Sequence, residues 1–295
     1  MTKVGPDGEV AVGTGAEPAV DRRRHVSDYF RLERFELRSP DGADGPVSMG
    51  GRAPVDAHQR GPGGGLRTGG LLAGLDSLGG FTSGLAVLPR WIVTTSLMAT
   101  VSELSHVGPL RMRADVLRRG RNSVVTSLDV VDEGAGDRHV AAATMTCAVL
   151  EPTAMTLEFA RPFAMAMPEP QSDPMGPVEF FCIEPGEGPL TRLRLEDQLR
   201  NPWGILHGGA VAMLADEAAC RATVAAVPTV AGIEEVAATD VVLHYLRPVK
   251  IGPVEARCTV LGTRDGRTSV RVAIHDVGAD GRLVTLGSVN VLVLP

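Results

Sequence analysis

Gly208-Gly-Ala-Val-Ala-Met-Leu-Ala-Asp-Glu-Ala-Ala-Cys-Arg-Ala-Thr-Val-Ala-Ala226 is the stretch on which the reading of this chain turns. It is rich in Ala, Met and Leu, and after its opening pair it contains neither Gly nor Pro, so it predicts a helix that Pro228 stops. Upstream, Thr191-Arg-Leu-Arg-Leu195 alternates like a strand. Downstream come four β-rich segments, 238–246, 254–261, 268–275 and 283–294. Arg264-Asp-Gly-Arg267 and Gly278-Ala-Asp-Gly281 between the last three are hairpin signals. A single long helix followed by a meander needs a large sheet to bury it, and a curled antiparallel sheet around the helix satisfies both.

The same order occurs earlier in the chain. Gly69-Gly70 opens a helical stretch to about residue 87, and strands are expected at 92–101, 110–117, 123–131 and 140–150. Matching Gly69-Gly70 to Gly208-Gly209 gives an offset of 139, and matching Gly108-Pro109 to Gly252-Pro253 gives 144. The expected fold class is therefore α+β, two repeats of a long helix wrapped by a curled antiparallel sheet. The expected domains are a flexible tail (1–27), a degenerate N-terminal copy (28–150), a Pro-rich linker (151–177) and a C-terminal copy (178–295). Tyr29 to Arg38 reads as a strand. From 40 to 65 the chain carries eight Gly and four Pro, which predicts a long loop.

Composition narrows the function. Of 295 residues, 44% are hydrophobic and 22% charged, a globular balance with a formal charge of -6. No basic run longer than Arg22-Arg23-Arg24 appears, which argues against nucleic acid as a partner. The most apolar stretch, around 85–101, is broken by Pro89 and Arg90, which argues against a membrane span. The four cysteines have no metal-ligand spacing, so no metal and no cofactor is expected, and free thiols point to the cytoplasm.

The chemistry is carried by Asn201-Pro-Trp-Gly-Ile-Leu-His207-Gly208-Gly209 and, within the helix, Asp216. Free N–H groups at a helix start can stabilise an anion, including the oxyanion formed when a thioester is attacked. Asp216 shares its face with Gly209, Ala212, Met213, Ala219, Cys220 and Thr223, where a carboxylate needs partners or a task such as general-base work. Glu217 stands four residues before Arg221 and is read as half of a surface pair.

The string Asn-x2-Gly-x2-His-Gly-Gly followed by Asp216, with Thr239-Asp-Val-Val-Leu-His-Tyr-Leu-Arg247-Pro248 downstream, resembles the hotdog-fold acyl-CoA thioesterases of the phenylacetate-pathway type. The resemblance is clearest over 178–295 and fainter over 28–150. It implies a double hotdog that hydrolyses an acyl-CoA thioester, with Asp216 as base or nucleophile. It also implies the Gly209 amide on the oxyanion, and Asn201 and His207 holding substrate and water. A non-catalytic tandem hotdog that binds acyl-CoA or serves assembly is the alternative. A homo-oligomer of such chains is a further expectation.

By the 139 offset, Asn201 falls on Pro62, His207 on Thr68 and Asp216 on Ser77, with Asp76 adjacent. On that alignment the N-terminal copy lacks the Asn, the His and the aligned acid. Asp216 lies ~12 Å along its helix from Gly208. In dimers of the resembled family, the acid meets the partner's glycines. Two halves packed in that way would give two unlike sites. One joins Asn201, His207, Gly208 and Gly209 to Asp76 or Ser77 and Thr94. The other joins Asp216 to Gly69 and Gly70.

Overall fold

The computed structural model describes residues 25–37, 47–151, 163–186 and 190–295. Most of the expected N-terminal tail and 152–162 of the Pro-rich stretch lie outside the described residues. The N-terminal half contains α1 (Val26–Tyr29), β1 (Glu33–Leu37), β2 (Ser48–Ala53), α2 (Thr68–Leu85), β3 (Trp91–Val101), β4 (Leu110–Arg119), β5 (Ser123–Asp132) and β6 (Arg138–Leu150). β7 (Ala164–Met165) lies in the Pro-rich stretch and pairs with β1. The C-terminal half contains α3 (Pro177–Phe180), β8 (Ile183–Pro185), β9 (Thr191–Leu193), α4 (Gly208–Ala226), β10 (Val236–Tyr245), β11 (Val254–Arg264), β12 (Arg267–Asp276) and β13 (Arg282–Val293).

All described strands form one antiparallel sheet in the order β7-β1-β2-β4-β5-β6-β3-β10-β13-β12-β11-β9-β8. The halves join where β3 pairs with β10, Leu97 opposite Leu243. α2 and α4 lie side by side within the curl of the sheet. Each is therefore covered by strands on one side and by its twin on the other. This is why α4 is buried without interruption from Gly209 to Cys220 and reads as apolar all round rather than amphipathic. The expected double hotdog is the fold observed.

Glycines set how closely the helices approach. A Cβ on Gly209 would fall 2.5 Å from the Ala73 Cα, and one on Gly69 would fall 2.7 Å from the Met213 Cα. Neither residue, nor Gly208, has a positive φ. They are needed for helix-to-helix contact and not for a left-handed backbone turn.

Three expectations need correction. Residues 48–53 are a buried strand between β1 and β4, not loop. Gly50 is there because the Phe35 ring of β1 lies across it, where a Cβ would overlap the ring, and Gly51 lies against Leu32 and Leu78. The strand expected from Tyr29 begins at Glu33, after a helical turn that buries Val26 and Tyr29. The repeat is also in a different register at the helices. The bridge Arg60↔Leu66 recurs as Arg200↔Leu206. Likewise Arg67 N donates to Gln59 O as His207 N donates to Leu199 O. The offset there is 140, which places Gly61 on Asn201, Arg67 on His207, Gly69 on Gly209 and Asp76 on Asp216. The N-terminal copy has therefore kept the acid. The strands follow the 144 offset, with matching irregularities after Thr94 and after Ala238.

Candidate functional site: two unlike ends of one helix pair

Antiparallel packing brings the N-terminus of each long helix to the acid of the other. At one end Gly209 N donates to Asp76 Oδ2 (2.9 Å), and at the other Gly69 N donates to Asp216 Oδ2 (3.2 Å). The two ends are related by the repeat, and three substitutions between the copies make them chemically different.

The first end is assembled around Asp76, which is 5% exposed. Thr94 Oγ1 on β3 donates to its Oδ1 at 2.9 Å, and His207 Nδ1 lies 3.2 Å from its Oδ2. Ser77 Oγ sits 3.4 Å from His207 Nε2. Burial lowers the His207 pKa, which outweighs the pull of Asp76 and keeps the ring neutral at pH 7. The Gly209 N–H, expected to face an oxyanion, is instead engaged by Asp76 and by His207 Nδ1 (3.0 Å). Among the described residues the Gly208 N–H meets no acceptor, as is normal for a first helical position. A Cβ on Gly208 would stand 2.8 Å from Asp76 Oδ2, so only Gly leaves that amide open beside the carboxylate.

Asn201 does not reach Asp76 through any hydrogen bond among the described residues. Its Oδ1 accepts from Trp203 N (2.9 Å) and Ile205 N (3.3 Å), which folds the loop that delivers His207 to the helix start. Tyr245, on β10, was not singled out from sequence. Its hydroxyl donates to Gly208 O at 3.0 Å, and burial followed by the charge of Asp76 pushes its pKa well up, so it stays a neutral donor.

The second end is closed by charge. Arg67, at the position of His207, donates from Nε to Asp216 Oδ2 (2.7 Å) and places Nη2 2.5 Å from Glu217 Oε2. Burial alone would lower the Arg67 pKa, but Asp216 and Glu217 raise it overall. Ala238 stands where the first end has Thr94, and Glu217 where it has Ser77. Asp216 therefore has a firm partner, so of the two alternatives read from sequence for a carboxylate on that face, partners or a task, the structure supplies the partner. Glu217 does pair with Arg221 (2.6 Å) as expected, but it is 1% exposed and not a surface residue. Gly70 lies against the Phe30 ring and belongs to the packing behind this end.

The sequence held a signal for this asymmetry. Under the 140 offset, Arg60/Arg200, Pro62/Pro202, Gly64/Gly204, Leu66/Leu206, Gly69/Gly209 and Asp76/Asp216 are identical. That alignment exposes Arg67 against His207 directly.

No described helix is long and apolar enough to cross a membrane. Residues 204–282 match the family model described as the Thioesterase superfamily. Among solved structures, the tesB protein of Mycobacterium avium subsp. paratuberculosis is similar at 12% identity and a TM-score of 0.54, covering 83% of this chain and 93% of that one. The acyl-CoA thioesterase II TesB2 of Mycobacterium marinum is similar at 15% identity and a TM-score of 0.52, covering 92% and 97%. A conserved protein of unknown function with a hot dog fold from Alicyclobacillus acidocaldarius is similar at 14% identity and a TM-score of 0.50, covering 92% and 98%. The chain is thus a double hotdog in whose C-terminal half residues 204–282 match the Thioesterase superfamily model, with its two helix-end sites lying between that half and its N-terminal counterpart.

Proposed function

We propose that this protein hydrolyses an acyl-CoA thioester at the Asp76 end of the helix pair. The observation that carries the reading is the open Gly208 amide at the start of α4, held beside the Asp76 carboxylate with neutral His207 and Thr94 around it. In this scheme the thioester carbonyl oxygen rests on the Gly208 N–H, where the positive helix end stabilises the developing oxyanion. Water held by His207 and Ser77 attacks the carbonyl carbon and Asp76 takes its proton. The tetrahedral intermediate then collapses, the C–S bond breaks, and the proton passes from Asp76 to the departing thiolate. This moves the working carboxylate from Asp216, expected from sequence, to Asp76, because Asp216 is ion-paired to Arg67.

The test is release of free CoA thiol from a panel of acyl-CoAs. Asp76→Asn should lower turnover by ~10²–10⁴-fold, the usual worth of a general base, while leaving the fold intact. Turnover retained in Asp76→Asn would refute the assignment. The second reading, binding without turnover, draws on Asp76 already accepting from two donors, Thr94 and the Gly209 amide, which also suits a fixed wall of a binding site. Acyl-CoA binding by the wild type with no thiol release would favour it.

A further inference from the structure

Among the described residues Arg34 is a buried cation with no counter-ion. It is 2% exposed, it lies in β1, and its Nε and Nη1 have no hydrogen-bond partner. Nη2 meets only the Met165 sulfur, and the guanidinium carbon stands 4.3 Å over the Phe81 ring. Among the described residues no carboxylate forms an ion pair with it. Asp28 is felt at a distance and opposes the effect of burial, which lowers the Arg34 pKa to about 10 and leaves it charged at neutral pH.

The register of β1 makes this stranger. In Glu33-Arg-Phe-Glu-Leu37 the buried position is Arg34, while Phe35 and Leu37 are only half-buried. A shift of one residue would bury Phe and Leu instead and expose the charge. A buried unpaired charge is costly, and a carboxylate or other anion placed against it recovers most of that cost.

Arg34 also stands beside the proposed site. Phe81, beneath it, is one helical turn beyond Ser77, so ~6 Å along α2 from the residue that touches His207. The charge of Arg34 contributes to lowering the His207 pKa. Phe81 packs on Phe163 and Trp91, and Trp91 on Trp203 of the loop that carries His207. The aromatic wall thus runs from the reacting centre to the guanidinium.

Building on the Asp76 reading, we infer that the acyl group accepted here carries its own carboxylate, which pairs with Arg34 at the far end of the aromatic wall. This replaces the purely apolar acyl chain that a lining of Leu, Val and Met would suggest. The anion is assigned to the acyl group and not to a CoA phosphate because Arg34 is buried among rings and a thioether, a setting that a strongly hydrated phosphate would have to shed its water to enter and that favours the smaller, singly charged carboxylate.

The experiment compares succinyl-, glutaryl- and adipyl-CoA with butyryl-, valeryl- and hexanoyl-CoA in wild type and Arg34→Leu. At least one carboxylated substrate should exceed its neutral counterpart in kcat/KM by 10-fold or more in wild type. Arg34→Leu should abolish that preference through KM, with activity on neutral substrates kept or raised, and Arg34→Lys should restore part of it. Inhibition by free CoA should be the same in both proteins; weakened CoA inhibition in Arg34→Leu would assign the anion to CoA and overturn the inference. A wild type without preference overturns it whether or not the variants fold. Binding of thioether analogues of glutaryl- and valeryl-CoA, measured by calorimetry, separates the two claims. Tighter glutaryl binding without turnover supports the Arg34 inference and refutes hydrolysis. Equal binding with turnover does the reverse.

Discussion

Replacing Arg67 with Met separates the two ends of the helix pair. In the wild type the guanidinium, 10% exposed, bridges Asp216 and Glu217, which are 2% and 1% exposed as side chains. Met fills a similar volume but leaves two neighbouring buried carboxylates without their shared cation. Glu217 keeps Arg221, and Asp216 keeps only the Gly69 N–H and the Cys220 thiol. Breaking a buried pair from one side costs about 3–5 kcal/mol. At roughly 2 °C or slightly more per kcal/mol for a chain of this size, Tm should fall by about 6–12 °C. Below that temperature kcat on any acyl-CoA substrate should stay within about 3-fold of wild type, because the proposed mechanism gives the chemistry to the Asp76 end and no reacting role to Arg67 or Asp216. Differential scanning calorimetry and a thiol-release assay on the same preparation check both halves. A variant with unchanged Tm and lost turnover would show that the Asp216 end does the chemistry, and the reasoning would fail.

Gly209→Ala should cost about 1–3 kcal/mol and reduce turnover, because its Cβ would meet the Ala73 backbone and force the helices apart; Gly232→Ala, where a Cβ meets nothing within 4 Å, should leave Tm within about 1 °C. Asn201→Ala removes two hydrogen bonds to loop amides and should cost about 1–2 kcal/mol, lowering activity through a loosened His207 loop; normal stability with lost turnover would instead put Asn201 on the substrate. Because burial lowers the His207 pKa, the unfolded chain binds a proton near pH 6.5 that the folded one refuses, so this residue makes stability fall as pH drops below about 6.5. His207→Asn should flatten the stability curve between about pH 5 and 6.5, and a curve parallel to wild type would contradict the buried neutral ring.

By itself the sequence determined the elements whose causes are local. α4 spans Gly208–Ala226 as its composition and Pro228 require, and the eight long strands begin within two residues of their alternating patterns. The duplication was legible too, since two copies of one pattern bury two like surfaces. β2 was not legible, because Gly50 answers to the Phe35 ring on the neighbouring strand and Gly51 to Leu32 and Leu78, contacts no local window of sequence contains. The site divided along the same line. The motif put His207, Gly208 and Gly209 at a helix start, and the spacing of Asp216 required a second helix. Which acid is salt-bridged to an arginine and which sits on neutral donors was decided only when the helices packed. Antiparallel contact at Gly69 and Gly209 sets Arg67 onto Asp216 and His207 onto Asp76, and an ion pair between residues 149 positions apart can be seen only in three dimensions.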